Sequence, residues 1–469
     1  MKLTPICLAL TALLAAGSSH AAPAKNSQQA LLDRLEKMAN EMEALKSELK
    51  SVKEQASSAK VTAAKADQTA SKAAADIAAA PSAAGLAYAA TPAKNLRNAS
   101  MVSPALYGNT LASGQTSLFG YGEINYNSYR RNKTNNEANV RRAILGIAHQ
   151  ASDKTRIVTE LEFENAVTSA DDAGEVAVEQ MYIEHLLNDK VGLKGGLFLI
   201  PMGFMNLNHE PTAFYGVERN FVETGIIPST WREVGLSAFG VTDAGLRWDT
   251  GVTTGFNLGK WNSAEGLQSP LAAIHQEGQK ARAHDLSWYG SLSWRGTPGL
   301  EVGGSLFTGK AGQKNADPAP SRFAMLNNSR ITLSEVHARW QPGKWDLAAL
   351  YSRGRITSTG DYNLATALDG TDNPIPKSFY GWYTQAAYKI WETAEYSLSP
   401  FARFEKFNTA AKYEAMPAGM EIADGQAERV VTMGANLRVG PSVVVKADVQ
   451  RFRQNKDMDR FNLGLGYQF

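Results

Sequence analysis

From Leu118 to the end, apolar and polar residues alternate with a period of two, the spacing of strands with one apolar and one polar face. Ile157, Leu161 and Phe163 oppose Arg156, Glu160, Glu162 and Glu164. Leu246, Trp248, Val252, Phe256 and Leu258 oppose Arg247, Asp249, Thr253 and Asn257. The pattern predicts sixteen strands, near 118–129, 139–149, 154–164, 176–187, 190–200, 233–241, 244–258, 284–296, 299–309, 330–341, 344–355, 378–391, 396–407, 428–440, 442–453 and 459–469. Even-numbered strands run into tight turns, odd-numbered ones into longer polar loops such as 259–283 and 356–377. Long strands, an even count and short turns at one end predict an all-β fold, a sixteen-stranded antiparallel transmembrane barrel over 118–469. In lipid, only closure satisfies every backbone group of a sheet. The last strand, with Phe461, Leu463, Leu465, Tyr467 and Phe469 in one register, ends the chain on an outward aromatic. Trp340, Trp345, Tyr380, Trp382, Trp391 and Tyr467 lie near strand ends, as interfacial girdles do.

Between the fifth and sixth strands the alternation stops for some thirty residues, 201–233. A connection of this length is functional or disordered. Phe204, Phe214, Tyr215, Phe221, Ile226, Ile227 and Trp231 give it too much apolar surface for disorder. It is expected to fold inward and narrow the lumen.

Upstream the period is seven. Leu31, Leu35, Met38, Met42, Leu45, Leu49 and Val52 alternate steps of four and three, and Ala56 to Ala80 continue the register. This predicts a periplasmic coiled coil over 22–80, which buries its seam only by self-association. Residues 81–117, rich in Pro, Ala, Ser, Gly and Asn, read as a linker. Residues 1–21 carry a basic start, a short apolar core and a small-x-small cleavage site, the marks of a secretory signal.

Composition narrows the class. The mean hydropathy of −0.29 excludes a bundle of apolar membrane helices. A formal net charge of +2 argues against a nucleic-acid partner. The single cysteine, Cys7, falls in the leader, so the exported chain needs no disulfide chemistry. No G-x-S-x-G and no H-E-x-x-H occurs, and the histidines are scattered; neither catalysis, a cofactor nor a metal is expected.

Charge supplies the candidate pore residues. The loop carries Glu210, Glu218, Glu223 and Glu233 against Arg219 and Arg232. The inward faces offer Arg142, Arg156, Arg247, Arg295, Arg339, Lys389, Arg403, Arg438 and Lys446, with Glu160 and Glu162 among the wall carboxylates. An acidic loop opposite a basic wall predicts a transverse field and a weak preference for anions. The expected function is passive diffusion of small hydrophilic solutes, phosphate or other small anions among them. Two alternatives are a structural protein tethering outer-membrane lipid to the cell wall through its coil, and a barrel hydrolase.

Val140-Arg141-Arg142-Ala143-Ile144-Leu145-Gly146, Glu160-Leu161-Glu162-Phe163 and Leu193-Lys194-Gly195-Gly196-Leu197-Phe198 with Pro201-Met202-Gly203 resemble the early strands of the phosphate-selective porin O and P family. Glu218-Arg219 and Arg232-Glu233-Val234-Gly235-Leu236 resemble its loop exit. The resemblance implies a homotrimeric sixteen-stranded outer-membrane channel that prefers anions. The loop departs from the pattern in having few basic residues.

Overall fold

The computed structural model describes residues 111–169, 174–314, 322–371 and 373–469, with scattered positions between 36 and 60. The chain divides into two units, Met1–Ser82 and Ala83–Phe469. In the first, the described positions between Glu36 and Lys60 are helical and exposed, Met42 among them. The other seam positions of the expected coiled coil, the signal segment and most of the expected linker lie outside the described residues.

In the second unit, sixteen long strands form one closed antiparallel sheet. They are β1 (Thr116–Tyr129), β2 (Glu137–Gln150), β3 (Thr155–Glu164), β4 (Glu175–Leu186), β5 (Val191–Leu199), β6 (Arg232–Val241), β7 (Leu246–Thr253) and β8 (Ser287–Trp294). There follow β9 (Leu300–Lys310), β10 (Arg330–Trp340), β11 (Trp345–Ile356), β12 (Ser378–Tyr388, prolonged by a short ladder at Trp391–Glu392), β13 (Tyr396–Lys412), β14 (Glu428–Val439), β15 (Val443–Phe452) and β16 (Arg460–Gln468). Closure runs from Tyr121 opposite Gln468 to Tyr129 opposite Arg460. Phe469 exchanges both backbone bonds with Gly120, at 2.9 and 3.1 Å, so the terminal aromatic sits on the seam.

Alternation sorts the side chains. Leu145, Ile147, Ile183, Leu193, Leu236, Met433, Leu463 and Leu465 stand exposed on the outer face, the apolar band that a bilayer covers. Trp340, Trp345, Trp391 and Tyr467 are exposed near the tight-turn rim, as a girdle requires. The inner face is polar, and Glu123, Arg142, Glu162, Arg403 and Asp448 on it are largely buried.

Three expectations need correction. β7 stops at Thr253, and Phe256 and Leu258 are fully buried inside rather than outward-facing. The chain turns inward there because Phe256 stacks on Trp231, with centroids 5.0 Å apart, and both rings meet Phe307. Such ring pairs contribute about 0.5–1.5 kcal/mol each beyond burial. The stretches 259–283 and 356–377 are not plain polar loops. The first holds the helical turn α1 (Ser263–Gly266), the second the helix α2 (Gly360–Leu368) with Tyr362, Asn363 and Thr366 buried. Asn373 joins them, accepting from Ser263 N at 2.7 Å. Finally, Arg232 and Glu233 open β6 instead of closing the loop.

Candidate functional site

The long connection, residues 200–231, enters the barrel. Its base is tied by Asn206, whose amide donates to Ile200 O (2.7 Å) and Trp231 O (2.8 Å) and accepts from Trp231 N (2.7 Å). Its middle is tied by Glu223, which accepts from Phe204 N (2.6 Å), Met205 N (2.8 Å), Asn220 Nδ2 (2.8 Å) and the Tyr383 hydroxyl on β12 (2.8 Å). Burial raises the Glu223 pKa, and these four donors only partly offset it. Glu223 is therefore a clamp rather than a pore-lining charge.

One side of the loop is sealed against β11–β16. Phe214 O accepts from Asn436 Nδ2 at 3.1 Å, and Tyr215 O from Arg403 Nη1 at 3.1 Å. Val217 N donates to Asp448 at 2.6 Å, and Phe221 N to Glu405 at 2.6 Å. Thr212 bonds to Gln468 and, through its carbonyl, to Arg438. Strand side chains thus satisfy loop backbone groups that would otherwise be buried without partners. The approach is close enough that a Cβ on Gly466 would lie 2.3 Å from Pro211. Lys446 is buried with its ammonium over the Phe214 ring, 3.5 Å from the centroid.

The other side is open. Between the loop and β1–β4 lies a cavity of about 560 Å³, lined by seven glutamates and five arginines among other residues. Arg142 is its hub, 3.2 Å from Glu123, 3.5 Å from Glu162 and 4.0 Å from Glu164. From the loop side come Glu218, Arg219 and, at the start of β6, Arg232, which pairs with Glu277 at 3.0 Å. Burial raises the Glu218 pKa, but Arg141, Arg460 and Asn127 outweigh it and hold the carboxyl below its ordinary range. Burial and the nearby Arg142 lower the Arg219 pKa. Behind the cavity, His209 pairs with Glu179 of β4 at 2.8 Å and meets the Tyr121 ring edge-on. Burial lowers the His209 pKa, Glu179 raises it more, and the net shift is upward.

The sequence-predicted residues therefore separate. Arg142, Glu162, Glu218, Arg219 and Arg232 meet at the cavity. Glu210, Glu223 and Glu233 are buried in the packing of the loop and its exit. Arg403, Arg438 and Lys446 lie on the sealed side. Glu160 is buried beneath Gln180, which donates to it at 2.6 Å. The rest stand close to the tight turns. Arg156 is matched by Glu184, Arg295 by Glu301 and Arg339 by Asp346, while Arg247 is half-buried. Lys389 follows the last residue of β12 and pairs with Glu392 at 2.6 Å. The basic wall does not face the acidic loop across the cavity; the facing wall is itself rich in carboxylates, with Glu123, Glu137, Glu162, Glu164 and Glu175. Sequence reasoning missed Asn206, Asn436, Tyr383 and His209 as loop anchors. Gly464 and Gly466, inward on β16, leave the room that Val217 and Pro211 of the loop occupy.

Comparison with known proteins agrees with this architecture. An uncharacterized protein of Aquifex aeolicus (strain VF5) is 29% identical over 364 residues, spanning 75% of this chain and 80% of its own. Among solved structures, the Salmonella typhi OmpF complex with daunomycin matches with a TM-score of 0.51 at 13% identity, over 76% of this chain and 98% of its own. The outer-membrane channel DcaP of Acinetobacter baumannii matches with a TM-score of 0.48 at 12% identity, over 77% and 99%. The family model for phosphate-selective porin O and P matches residues 115–436, most of the barrel, and the chain belongs to that family of outer-membrane porins.

Proposed function

We propose that the protein is a water-filled diffusion channel for small hydrophilic solutes, and that solutes pass between the loop and β1–β4. The observation that carries this reading is the asymmetry of the loop. Its backbone is bonded to β13–β15 by direct hydrogen bonds, which leaves the charged cavity on the opposite side as the route. Charge selectivity is weak in this reading. Most cations at the cavity and near the tight turns have a carboxylate within 4 Å, so little net field of either sign remains. The anion preference expected from the sequence rested on a basic wall that lies largely elsewhere. Phosphate, named by the family description, stays among the solutes to be tested.

Assembly as a homotrimer, with the N-terminal segment projecting into the periplasm, belongs to the same proposal. The heptad pattern and the exposed apolar outer face support it. Planar-bilayer recording of the full chain in a salt gradient tests the whole. A steady ohmic current with a reversal potential near zero is expected. Absence of current would overturn the channel reading, and a reversal potential close to the limit for one ion would overturn weak selectivity.

A further inference from the structure

We propose that the cavity recognises small zwitterions by their length, binding a carboxylate at Arg219 and an ammonium group at a rim made by Glu137, Glu164 and Glu175. The proposal rests on the channel reading and names its preferred solute class.

The cations of the cavity differ in how they are compensated. Arg141, Arg142 and Arg232 each have a carboxylate within 4 Å. Arg219 has none among the described residues. Its guanidinium donates to Ser229 Oγ and to His209 O (3.0 Å), both uncharged acceptors, and its Nε has no partner. The residue is only 8% exposed, so water compensates it poorly. Arg460, the other cation without a close carboxylate, bonds to Gln450 and the Tyr129 hydroxyl and shares the influence of Glu218 with Arg141. Arg219 and Arg460 are thus the buried cations of the cavity with no carboxylate within 4 Å among the described residues, and of the two only Arg219 keeps an Nε without a hydrogen bond.

The rim is its opposite. Glu164 ends β3, Glu175 begins β4 and Glu137 begins β2, all at the loop end of the barrel and all lining the same cavity. The first reaches Arg142 only at 4.0 Å, the second forms no ion pair among the described residues, and Glu137 accepts one long bond of 3.5 Å from Asn127. Glu137 and Glu175 are exposed.

A short span separates the two sites. Arg219 is bonded to His209, whose ring packs on Tyr121. Glu137 lies opposite Asn127, whose amide also bonds Glu218, the chain neighbour of Arg219, so the rim begins beside the residue that carries the buried cation. Glu164 and Glu175 stand in the row of Arg142 and Glu123, two positions along β1 from Tyr121, roughly 7 Å at 3.3 Å per residue. A lone anion meets the rim first and is repelled. A lone cation is held at the rim and opposed further in. A molecule carrying both charges, several bonds apart, satisfies both ends.

The test is blockade of the salt current through the full-length protein in planar bilayers. Glycine, 4-aminobutyrate and 6-aminohexanoate are compared with hexanoate and n-hexylamine at equal concentration. Blockade should rise with length along the amino-acid series. It should be about tenfold stronger for 6-aminohexanoate than for either single-charge probe, the ratio worth about one added charged hydrogen bond. Arg219→Gln should reduce 6-aminohexanoate to the level of n-hexylamine, and Glu137→Gln with Glu175→Gln should reduce it to the level of hexanoate. The rim variants change exposed side chains, so they keep the test open if Arg219→Gln disturbs the loop. Equal blockade by all five probes, or a length series that runs the other way, would overturn the proposal while leaving the channel in place. Absence of any salt current would instead overturn the channel reading on which it rests.

Discussion

The two sides of the inserted loop follow different physical rules. On the side facing β11–β16, polar groups are spent on one another: Asp448, Glu405, Asn436 and Arg403 each bond a loop backbone group. On the side facing β1–β4, carboxylates and guanidiniums line a cavity and are compensated in clusters around Arg142. The same residue types serve as mortar on one side and as channel lining on the other. Facing inward thus does not by itself bring a charged residue to the cavity, because the loop covers some of them.

The largest effect should come from releasing the loop altogether. Glu223→Ala leaves four donors without their acceptor, at about 1–3 kcal/mol for each one that stays buried. Single-channel conductance should rise markedly and become noisy; an unchanged, quiet conductance would mean the loop is held without its clamp. Gly466→Val attacks the sealed side from the wall, since a Cβ there would meet Pro211 at 2.3 Å. It should also raise conductance, though less, because the clamp remains.

Next is a contrast between the two sides. Arg142→Gln strips the compensating charge from Glu123 and Glu162, a loss of about 3–5 kcal/mol when one partner of a buried pair is removed. Its reversal potential should move toward cations. Arg403→Gln, on the sealed side, should lower thermal stability and add current noise while moving the reversal potential much less. If the two variants shifted the reversal potential equally, the division between mortar and lining would fail.

A smaller effect concerns pH. The folded-state pKa of His209 is raised, so its ion pair with Glu179 contributes stability that is fully present below about 6.5 and is lost as pH rises through the folded value. Current noise should therefore increase on alkalisation, and His209→Gln should flatten that dependence. A profile unaltered by the substitution would exclude His209 as the titrating anchor. Smallest of all, Lys389→Ala, at an exposed pair beside a tight turn, should change stability by no more than about 0.5 kcal/mol and leave conductance alone.

The barrel itself was legible in the sequence. Alternation is a local property: each strand must put every second side chain into lipid, and that demand is written residue by residue from Thr116 to Gln468. The inward loop could be read too, because thirty residues with so many aromatics have to pack somewhere. Which wall it packs against was not readable. The bonds that decide it join Val217 to Asp448 and Phe221 to Glu405, positions 231 and 184 residues apart, and nothing local marks one inward Asp or Glu as an anchor and another as lining. For the same reason Phe256 and Leu258, which continue the outward register of β7, are found inside. Phe256 is buried against Trp231 at the loop exit and Phe307 of β9, residues that only the folded sheet brings to it. Sequence determined which face of each strand is wet. Tertiary structure decided which part of that wet face the loop covers, because the docking of one loop against one wall is a long-range contact with no local period.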